Sequence, residues 1–265
     1  MRSVRLDDEN TDFYHAMATQ SFRKNYITSI LSEDGIYYQN HDHKAAIIWQ
    51  SYKDRLGKSI NPTMLFNLDE LIQHNDLSAL DAPFTVDEIA MGAKEFPTAR
   101  APGPDGFNGM FLKKCWNIIK QDFYTMIWDF FEGNCDIQSI NTAYITLIPK
   151  VANPESMNDF RPISLVSLPL KFFTKLLANR AQNIITSIIH QNQYGFIKGR
   201  NIQDCLGYAF EYLHLCHQSK RPIIILKLDF EKEFDKIEYN VIIAMLNAKG
   251  FGPRWINWVS NILNS

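Results

Sequence analysis

The sequence predicts an α+β fold, in which several amphipathic helices accompany a small number of strands. Apolar residues recur at helical spacing over long stretches, most clearly from Gly109 to Phe131. Two β-rich runs, Ala143 to Ile148 and Pro222 to Leu228, predict strands. Hydrophobic residues make up 46% of the 265 residues and charged residues 21%, which is typical of a globular protein with a sizeable core.

The first third of the chain predicts helices joined by short turns. Asp12 to Leu31 and Lys44 to Leu56 can each form an amphipathic helix, and Ser32 to Ile36 has the composition of a turn. Thr85 and Glu88 have the spacing of a capping box, which predicts a short helix that has to end by Pro97.

Ala101 to Gly106 contains two prolines and two glycines, so regular structure is not expected there. Asp105 within it is interpreted as an Asx-type turn former and not as a catalytic acid. Gly133 is expected to end the helix that starts at Gly109. Four further helices are predicted, at Pro169 to His190, Asn201 to Gln218 (with Asn201 as its cap), Tyr239 to Ala248 and Pro253 to Leu263.

Charge is distributed unevenly along the chain, although the net charge is only −2. Met1 to Glu95 carries 9 basic and 15 acidic residues, whereas Phe96 to Arg200 carries 11 basic and 7 acidic residues. A basic middle region is compatible with nucleic-acid binding, but charge alone favours ordinary solvated surfaces.

The four cysteines form no CxxC pair and have no histidine at zinc-finger spacing, so buried or free thiols are expected. The N-terminus lacks an apolar signal core, and no apolar stretch is long enough to span a membrane. We therefore expect an intracellular protein of the nucleus or cytoplasm that is neither secreted nor bound to membranes.

Asp229 is the residue with the clearest chemical potential. The apolar run from Pro222 to Leu228 is rich in β-branched residues, which predicts a strand buried on both faces that ends at Asp229. A carboxylate at a strand end can bind a divalent cation such as Mg²⁺. A lone aspartate there is more often a helix cap or an ion-pair partner, and Asp235 is interpreted in that structural way.

The segment from Leu226 to Asp235 resembles the first catalytic carboxylate motif of reverse transcriptases, with Glu233 where a small alanine is usual. Further segments match the same family in the same order. They are Ala99 to Gly106, Ile145 to Lys150, Asp159 to Leu165, Gln193 to Ile202 and Gly250 to Trp258. Together the motifs resemble the LINE type, from non-LTR retrotransposons. Phe13 to Leu56 is similar to the region between endonuclease and polymerase domains in plant elements.

The resemblance implies a reverse transcriptase fingers region and partial palm over residues 84–265, preceded by a helical extension over residues 1–83. It implies that Asp229 is catalytic and binds metal with the backbone carbonyl of Phe230 beside it. The implied dNTP-binding residues are Lys150, Arg161 and the steric gate Phe234. The implied template and primer contacts are Gln193, Gly195, Phe196, Lys198 and Arg200.

Members of this family need a second carboxylate motif, Ala-Asp-Asp on a hairpin, and no Asp-Asp pair follows Asp235. The expectation is therefore a fragment of an RNA-directed DNA polymerase that is inactive as this chain alone. The partners implied are an RNA template, a DNA primer and dNTP, and Mg²⁺ or Mn²⁺ is expected only for the complete domain. The alternative is a non-catalytic retrotransposon remnant that at most binds nucleic acid. A maturase like those of group II introns is the third interpretation.

Overall fold

The computed structural model of the chain describes residues 12–55, 67–229 and 237–265. It is a mixture of helices with two small two-stranded sheets, which confirms the α+β prediction in its coarse form. The helices are α1 (Asp12–Asn25), α2 (His41–Arg55), α3 (Leu68–Leu71), α4 (Val86–Glu95), α5 (Gly109–Glu132), α6 (Ile137–Ile140), α7 (Leu168–Gln182), α8 (Ile185–Ile188), α9 (Ile202–Gln218), α10 (Tyr239–Lys249) and α11 (Pro253–Asn264).

The strands form two separate pairs. β1 (Ile30–Leu31) pairs antiparallel with β2 (Tyr37–Tyr38), and β3 (Ala143–Pro149) pairs with β4 (Phe160–Val166). The described residues group into two compact units by their contacts. The smaller unit contains α1, α2, the β1–β2 hairpin and Tyr144–Leu165, and the larger unit contains the other described residues. The division of the sequence at residue 83 concerns a family domain and stays a prediction.

Aromatic side chains from α5, α7 and α11 form the centre of the larger unit. The rings of Phe130 and Phe173 stack with their centroids 4.5 Å apart, and the ring of Trp258 lies 5.6 Å from that of Phe130. Phe172 is fully buried and meets Phe123 edge-on at 5.0 Å. Each such ring removes a large apolar area from water, so this cluster contributes strongly to the hydrophobic stabilisation of the unit.

Arg180 on α7 joins three parts of the larger unit through its guanidinium group. Its Nε and Nη2 atoms donate to the two carboxylate oxygens of Glu88 on α4, at 2.6 and 2.8 Å. The remaining donors reach the carbonyl oxygens of Leu80, Ala82 and Pro83, and the guanidinium carbon lies 3.8 Å from the ring centroid of Phe84. A planar fork with five donors fits this arrangement, which lysine cannot reproduce.

Asp81 connects the same segment to the last helix. Its carboxylate accepts hydrogen bonds from the backbone N–H groups of Arg254 and Trp255, at 3.0 and 2.9 Å, and so caps the N-terminus of α11. The Leu77 N–H also donates to the Gly250 carbonyl oxygen at 3.1 Å. Segment 75–84 therefore holds α4, α7 and the α10–α11 pair together.

The turn from Ala101 to Gly106 packs against the start of α7. Asp105 accepts from the Phe107 N–H at 3.2 Å, which confirms the Asx turn, and its second oxygen accepts from the Leu168 N–H at 2.6 Å. A Cβ atom on Gly103 would lie 2.2 Å from the Val166 carbonyl oxygen. Only glycine allows this approach, which gives the turn a structural role.

The predicted strand from Pro222 to Leu228 is wrong. The segment has no regular structure, and its apolar side chains are exposed, for example Ile224 at 96% and Leu226 at 77%. A strand needs a neighbouring strand to complete its hydrogen bonds, and none of the described segments pairs with this one. The apolar side chains of α9, including Tyr208 and Phe210, are likewise exposed.

Several helix boundaries also differ from prediction. α1 ends at Asn25 and not at Leu31, because Ile30 and Leu31 pair with β2 across the predicted turn. The single helix expected from Pro169 to His190 is broken after Gln182, and the second piece, α8, buries Ile188 in the core. β4 was not predicted as a strand. The Asn201 side chain occupies the cap position of α9 but makes no capping hydrogen bond.

The other predicted elements are confirmed within one to three residues where they are described; the largest difference is α2, which begins at His41 and not at Lys44. The Thr85 hydroxyl accepts from the Glu88 N–H at 3.1 Å and starts α4 as expected. Gly133 adopts a left-handed conformation and ends α5. All four cysteines are free, in agreement with the expectation of unpaired thiols.

We predict that Arg180→Met destabilises the larger unit by roughly 2–4 kcal/mol, because it leaves the Glu88 carboxylate unpaired and three carbonyl groups without their donor. Chemical denaturation followed by tryptophan fluorescence measures the loss. The exposed Arg221 offers a matched control, and Arg221→Met should change the free energy of unfolding by less than about 0.5 kcal/mol. Equal effects of the two substitutions would contradict the role given to Arg180.

Gly103→Ala and Gly207→Ala should change stability in opposite directions. The first places a Cβ against backbone atoms of Val166, so the turn has to shift away from α7 and stability falls. The second lies in α9 with nothing within 4 Å of the new Cβ, and it should stabilise the helix by up to about 1 kcal/mol. Thermal melting of both variants decides this, and a neutral Gly103→Ala would show that the turn is not fixed by this contact.

Candidate active site

In the smaller unit, Arg161 lies on β4 and Lys150 lies directly after β3, the strand that pairs with β4. Lys150 follows β3, and its Nζ atom donates to the Asn158 carbonyl oxygen at 2.9 Å. Its backbone N–H donates to the Asp159 carbonyl oxygen at 2.7 Å. Arg161 is exposed on β4, directly after Phe160, which is 2% exposed. Both side chains are exposed, whereas the backbone of Lys150 is held by a hydrogen bond and that of Arg161 by the buried Phe160 beside it. Exposed cations on a fixed backbone can bind phosphate.

Asp159 organises the loop between Lys150 and Arg161. One of its carboxylate oxygens accepts from the Ser156 N–H at 2.8 Å, from the Glu155 N–H at 3.1 Å and from the Ser156 hydroxyl at 3.0 Å. These hydrogen bonds, the Ser156 N–H foremost, hold the pKa of Asp159 below its ordinary value, and the positive charge of Lys150 adds to the effect. The sequence contained this residue within a motif, but nothing in its spacing indicated the role.

Arg200 fixes the loop that carries the predicted template and primer residues. Its Nη1 atom donates to the carbonyl oxygens of His190 and Gln193, both at 2.7 Å. Its Nη2 atom donates to the carbonyl oxygens of Thr186 and Ile189, both at 3.3 Å. Four of its five N–H groups are therefore engaged with the chain itself. This geometry makes Arg200 a residue that positions the loop.

The same loop presents Phe196 and Lys198 to solvent. Phe196 is 92% exposed and adopts a positive φ of 63°, and Lys198 is exposed two residues later. Ile197 between them is 9% exposed and anchors the loop. Gln193 is exposed and donates to the Gly195 carbonyl oxygen at 3.4 Å. An outward aromatic ring beside an ammonium group can stack on a base and contact a phosphate.

Asp229 is exposed at the end of the segment without regular structure. Phe230 and Phe234, the predicted carbonyl ligand and steric gate, lie outside the described residues. Within the described ranges, no group of three or more His, Cys, Asp or Glu side chains is placed to hold a metal ion. The described residues therefore include one carboxylate, that of Asp229, from the predicted metal site.

The predicted site residues form two groups, one in each compact unit. Lys150 and Arg161 belong to the smaller unit. Residues 193–200 and Asp229 belong to the larger unit. No helix in the described part of the chain is both long and apolar enough to cross a membrane.

Because its hydrogen bonds lower the pKa of Asp159, the stability of the loop between β3 and β4 depends on pH in the acidic range. Because the folded value is depressed, the carboxylate stabilises the loop above the unfolded pKa, and this contribution is lost as the pH falls through the folded value. We predict that the amide protons of Glu155 and Ser156 shift together over that acidic range in NMR spectra. Asp159→Asn should abolish the shift, whereas Asp34→Asn, a control in an exposed turn of the same unit, should keep it.

Comparison with known proteins finds a family model that matches the second part of the chain. The model of the family described as "Reverse transcriptase (RNA-dependent DNA polymerase)" matches residues 148–265. This range contains Lys150, Arg161, the loop from Gln193 to Arg200, and Asp229. The match therefore covers every residue that the motif analysis placed in the candidate site.

Three curated relatives carry names from transposable elements. The "Transposon TX1 uncharacterized 149 kDa protein" of Xenopus laevis is 24% identical over 262 residues, which cover 97% of this chain and 20% of the relative. The "Probable RNA-directed DNA polymerase from transposon BS" of Drosophila melanogaster is 25% identical, over 67% of this chain and 20% of the relative. The "Retrovirus-related Pol polyprotein from type-1 retrotransposable element R2" of Nasonia vitripennis is 26% identical, over 69% of this chain and 17% of the relative.

The chain spans about a fifth of the length of these relatives. The first match also reaches into the residues before 84, so the similarity is not confined to the motif region. The motifs, the family match over residues 148–265 and the relatives agree with one another, and together they support a reverse transcriptase of the LINE type, the class found in non-LTR retrotransposons.

Proposed function

We propose that this chain supplies the fingers region and the beginning of the palm of an RNA-directed DNA polymerase. That polymerase would copy the RNA of its element into DNA from a primer on nicked DNA. The observation that carries the proposal is the family match over residues 148–265, which includes both groups of candidate side chains. Such a protein acts inside the cell, in the nucleus or the cytoplasm.

In this proposal the smaller unit binds the incoming dNTP. Lys150, directly after β3, and Arg161, on the paired strand β4, are exposed cations, and a guanidinium group can bind phosphate oxygens with two hydrogen bonds. The backbone on either side of them is fixed by the Lys150–Asp159 hydrogen bond and by the buried Phe160. Phe234 would act as the steric gate against ribose, as the family motif implies.

The loop from Gln193 to Arg200 would lie along template and primer. Phe196 offers its ring for stacking on a base, and Lys198 offers a charge for a backbone phosphate. Both contacts tolerate any nucleotide sequence, as a copying enzyme requires. Arg200 contributes indirectly, because its hydrogen bonds to four carbonyl groups hold the loop in its conformation.

Asp229 would be the first carboxylate of the metal site, with the carbonyl of Phe230. Mg²⁺ or Mn²⁺ bound in a complete domain would activate the primer 3′-hydroxyl and stabilise the leaving pyrophosphate. One carboxylate does not make such a site, so we assign no reaction step to it within the described residues. The second candidate function, a non-catalytic protein that at most binds nucleic acid, would use the same exposed Phe196 and Lys198.

We predict that the purified chain binds an RNA–DNA hybrid with primer overhang and does not extend the primer. Binding should weaken as salt rises, because Lys198 and its neighbours displace counterions from phosphates. Phe196→Ala should weaken binding by about 1 kcal/mol or more through lost stacking. Lys113→Ala, at an exposed position on α5, is the matched control for Lys198→Ala. Gel-shift titrations at several salt concentrations measure all of these affinities.

Two outcomes would contradict these expectations in different ways. Primer extension by the chain that Asp229→Ala abolishes would show that the chain is catalytic by itself. A hybrid that does not bind at low salt, or that binds equally to the Phe196→Ala and Lys198→Ala variants, would contradict the assignment of this loop to template and primer.

A further inference from the structure

Two cationic side chains hold the segment that leads into the loop from Gln193 to Arg200. That segment contains α8, a single helical turn, and the carbonyl groups at the end of a helix find no partners within it. Arg200 binds four carbonyl groups in and after this turn, and the Lys249 Nζ atom donates to the Ile188 carbonyl oxygen at 2.9 Å. Lys249 is the last residue of α10, so this contact joins α10 to the end of α8.

The backbone of Lys249 is fixed by hydrogen bonds to segment 75–77. The Lys249 carbonyl oxygen accepts from the Asn75 N–H, and the Gly250 carbonyl oxygen accepts from the Leu77 N–H, both at 3.1 Å. Gly250 adopts a φ of 87° and ends α10, and a Cβ atom there would overlap the Asn75 carbonyl oxygen. Segment 75–77 therefore lies directly against the end of α10, and the half-buried Lys249 side chain extends from a backbone that is held in place.

Ile188, at the other end of the contact, is also constrained. Its side chain is 7% exposed and belongs to the hydrophobic core of the larger unit. Without the Lys249 ammonium group its carbonyl oxygen would lose a donor in a partly buried position, which is unfavourable. Arg200 binds the carbonyl groups of Thr186 and Ile189 on either side of Ile188 in the sequence, so a shift of this turn reaches the loop.

We propose that Lys249 is a positioning residue for the template and primer contacts of the loop from Gln193 to Arg200. This inference rests on the proposed function, because it takes Phe196 and Lys198 as the residues that touch nucleic acid. Lys249 lies outside every segment that resembles a family motif, and only the fold brings its ammonium group to α8. The orientation of the two contact residues then depends on α10 as well as on Arg200.

Three variants of the full chain test the proposal. Lys249→Met removes the donor and keeps much of the apolar length of the side chain, whereas Lys249→Arg keeps a cationic donor and should restore the contact. Lys94→Met is the matched control, because Lys94 is likewise the basic residue in the last turn of its helix, α4, in the same unit. The Lys94 side chain is exposed and makes no hydrogen bond within the described residues. Lys249→Gln, with a shorter polar end, replaces Lys249→Met if methionine prevents folding, and the same losses are expected of it.

The first measurement is hydrogen exchange of the backbone amides of Gln193 and Arg200, both of which donate hydrogen bonds to carbonyl groups of nearby residues. We expect faster exchange in Lys249→Met, because the loop opens more often once α8 is released. Wild-type exchange rates are expected in Lys249→Arg and Lys94→Met.

The second measurement is the affinity for an RNA–DNA hybrid, in gel-shift titrations well below the melting temperature of each variant. The affinity should fall severalfold in Lys249→Met and stay close to that of the wild type in Lys249→Arg and Lys94→Met. In a chain that already carries Phe196→Ala and Lys198→Ala, Lys249→Met should cause no further loss, because it acts through those two residues.

Unchanged exchange in Lys249→Met would overturn the proposal, because Lys249 would not hold the loop. Faster exchange with an unchanged affinity would also overturn it, because the contact would then be structural only. An undiminished loss in the Phe196→Ala, Lys198→Ala chain, or an equal loss in Lys249→Arg, would contradict a cationic donor that acts through the loop.

The wild-type chain separates this inference from the proposed function. If it does not bind the hybrid, the template and primer role of the loop fails and the positioning role fails with it. If it binds and Lys249→Met behaves like the wild type, only the positioning role of Lys249 is refuted.

Discussion

The larger unit depends on the guanidinium group of Arg180. A charge at this depth is costly unless every donor finds an acceptor, and here the Glu88 carboxylate and three backbone carbonyl groups accept all five. The carbonyl groups belong to segment 80–84, which has little regular structure to satisfy them. Arg180 thereby fixes this segment between α4 and α7, and the segment in turn presents Asp81 to α11.

Charged side chains satisfy backbone groups throughout the described residues. Asp81 caps α11, Asp105 caps α7, Asp159 binds the loop before β4, and Arg200 gathers the carbonyl groups of four residues. Each lies where the chain changes direction and the regular hydrogen-bond ladder is interrupted. Asp159 and Arg200 hold in this way the loops that carry Lys150, Phe196 and Lys198. The candidate contacts of these three residues with nucleotide and template therefore depend on the hydrogen bonds of Asp159 and Arg200 to the backbone.

Whereas these polar groups have hydrogen-bond partners, apolar side chains of α9 and of Ile223–Leu228 are exposed to solvent. Their sequences have the composition of buried elements, yet no described segment covers them. The match to the Xenopus laevis relative covers 20% of that protein. Asp229 lies at the end of this exposed run.

The sequence by itself determined several of the helices and turns, and its motifs indicated the family. Periodic apolar residues, the Thr85 cap and Gly133 act locally, so α4, α5, α10 and α11 could be predicted from neighbouring residues alone. The motif order predicted the class of enzyme and the candidate residues.

Tertiary structure decided the features that depend on residues far apart in the sequence. Pro222–Leu228 did not become a strand because pairing needs a second strand, and the predicted helix after Pro169 broke where Ile188 entered the core. The roles of Arg180, Asp159 and Arg200 also came only from the fold, since a charged residue in a sequence does not show which backbone groups it will meet.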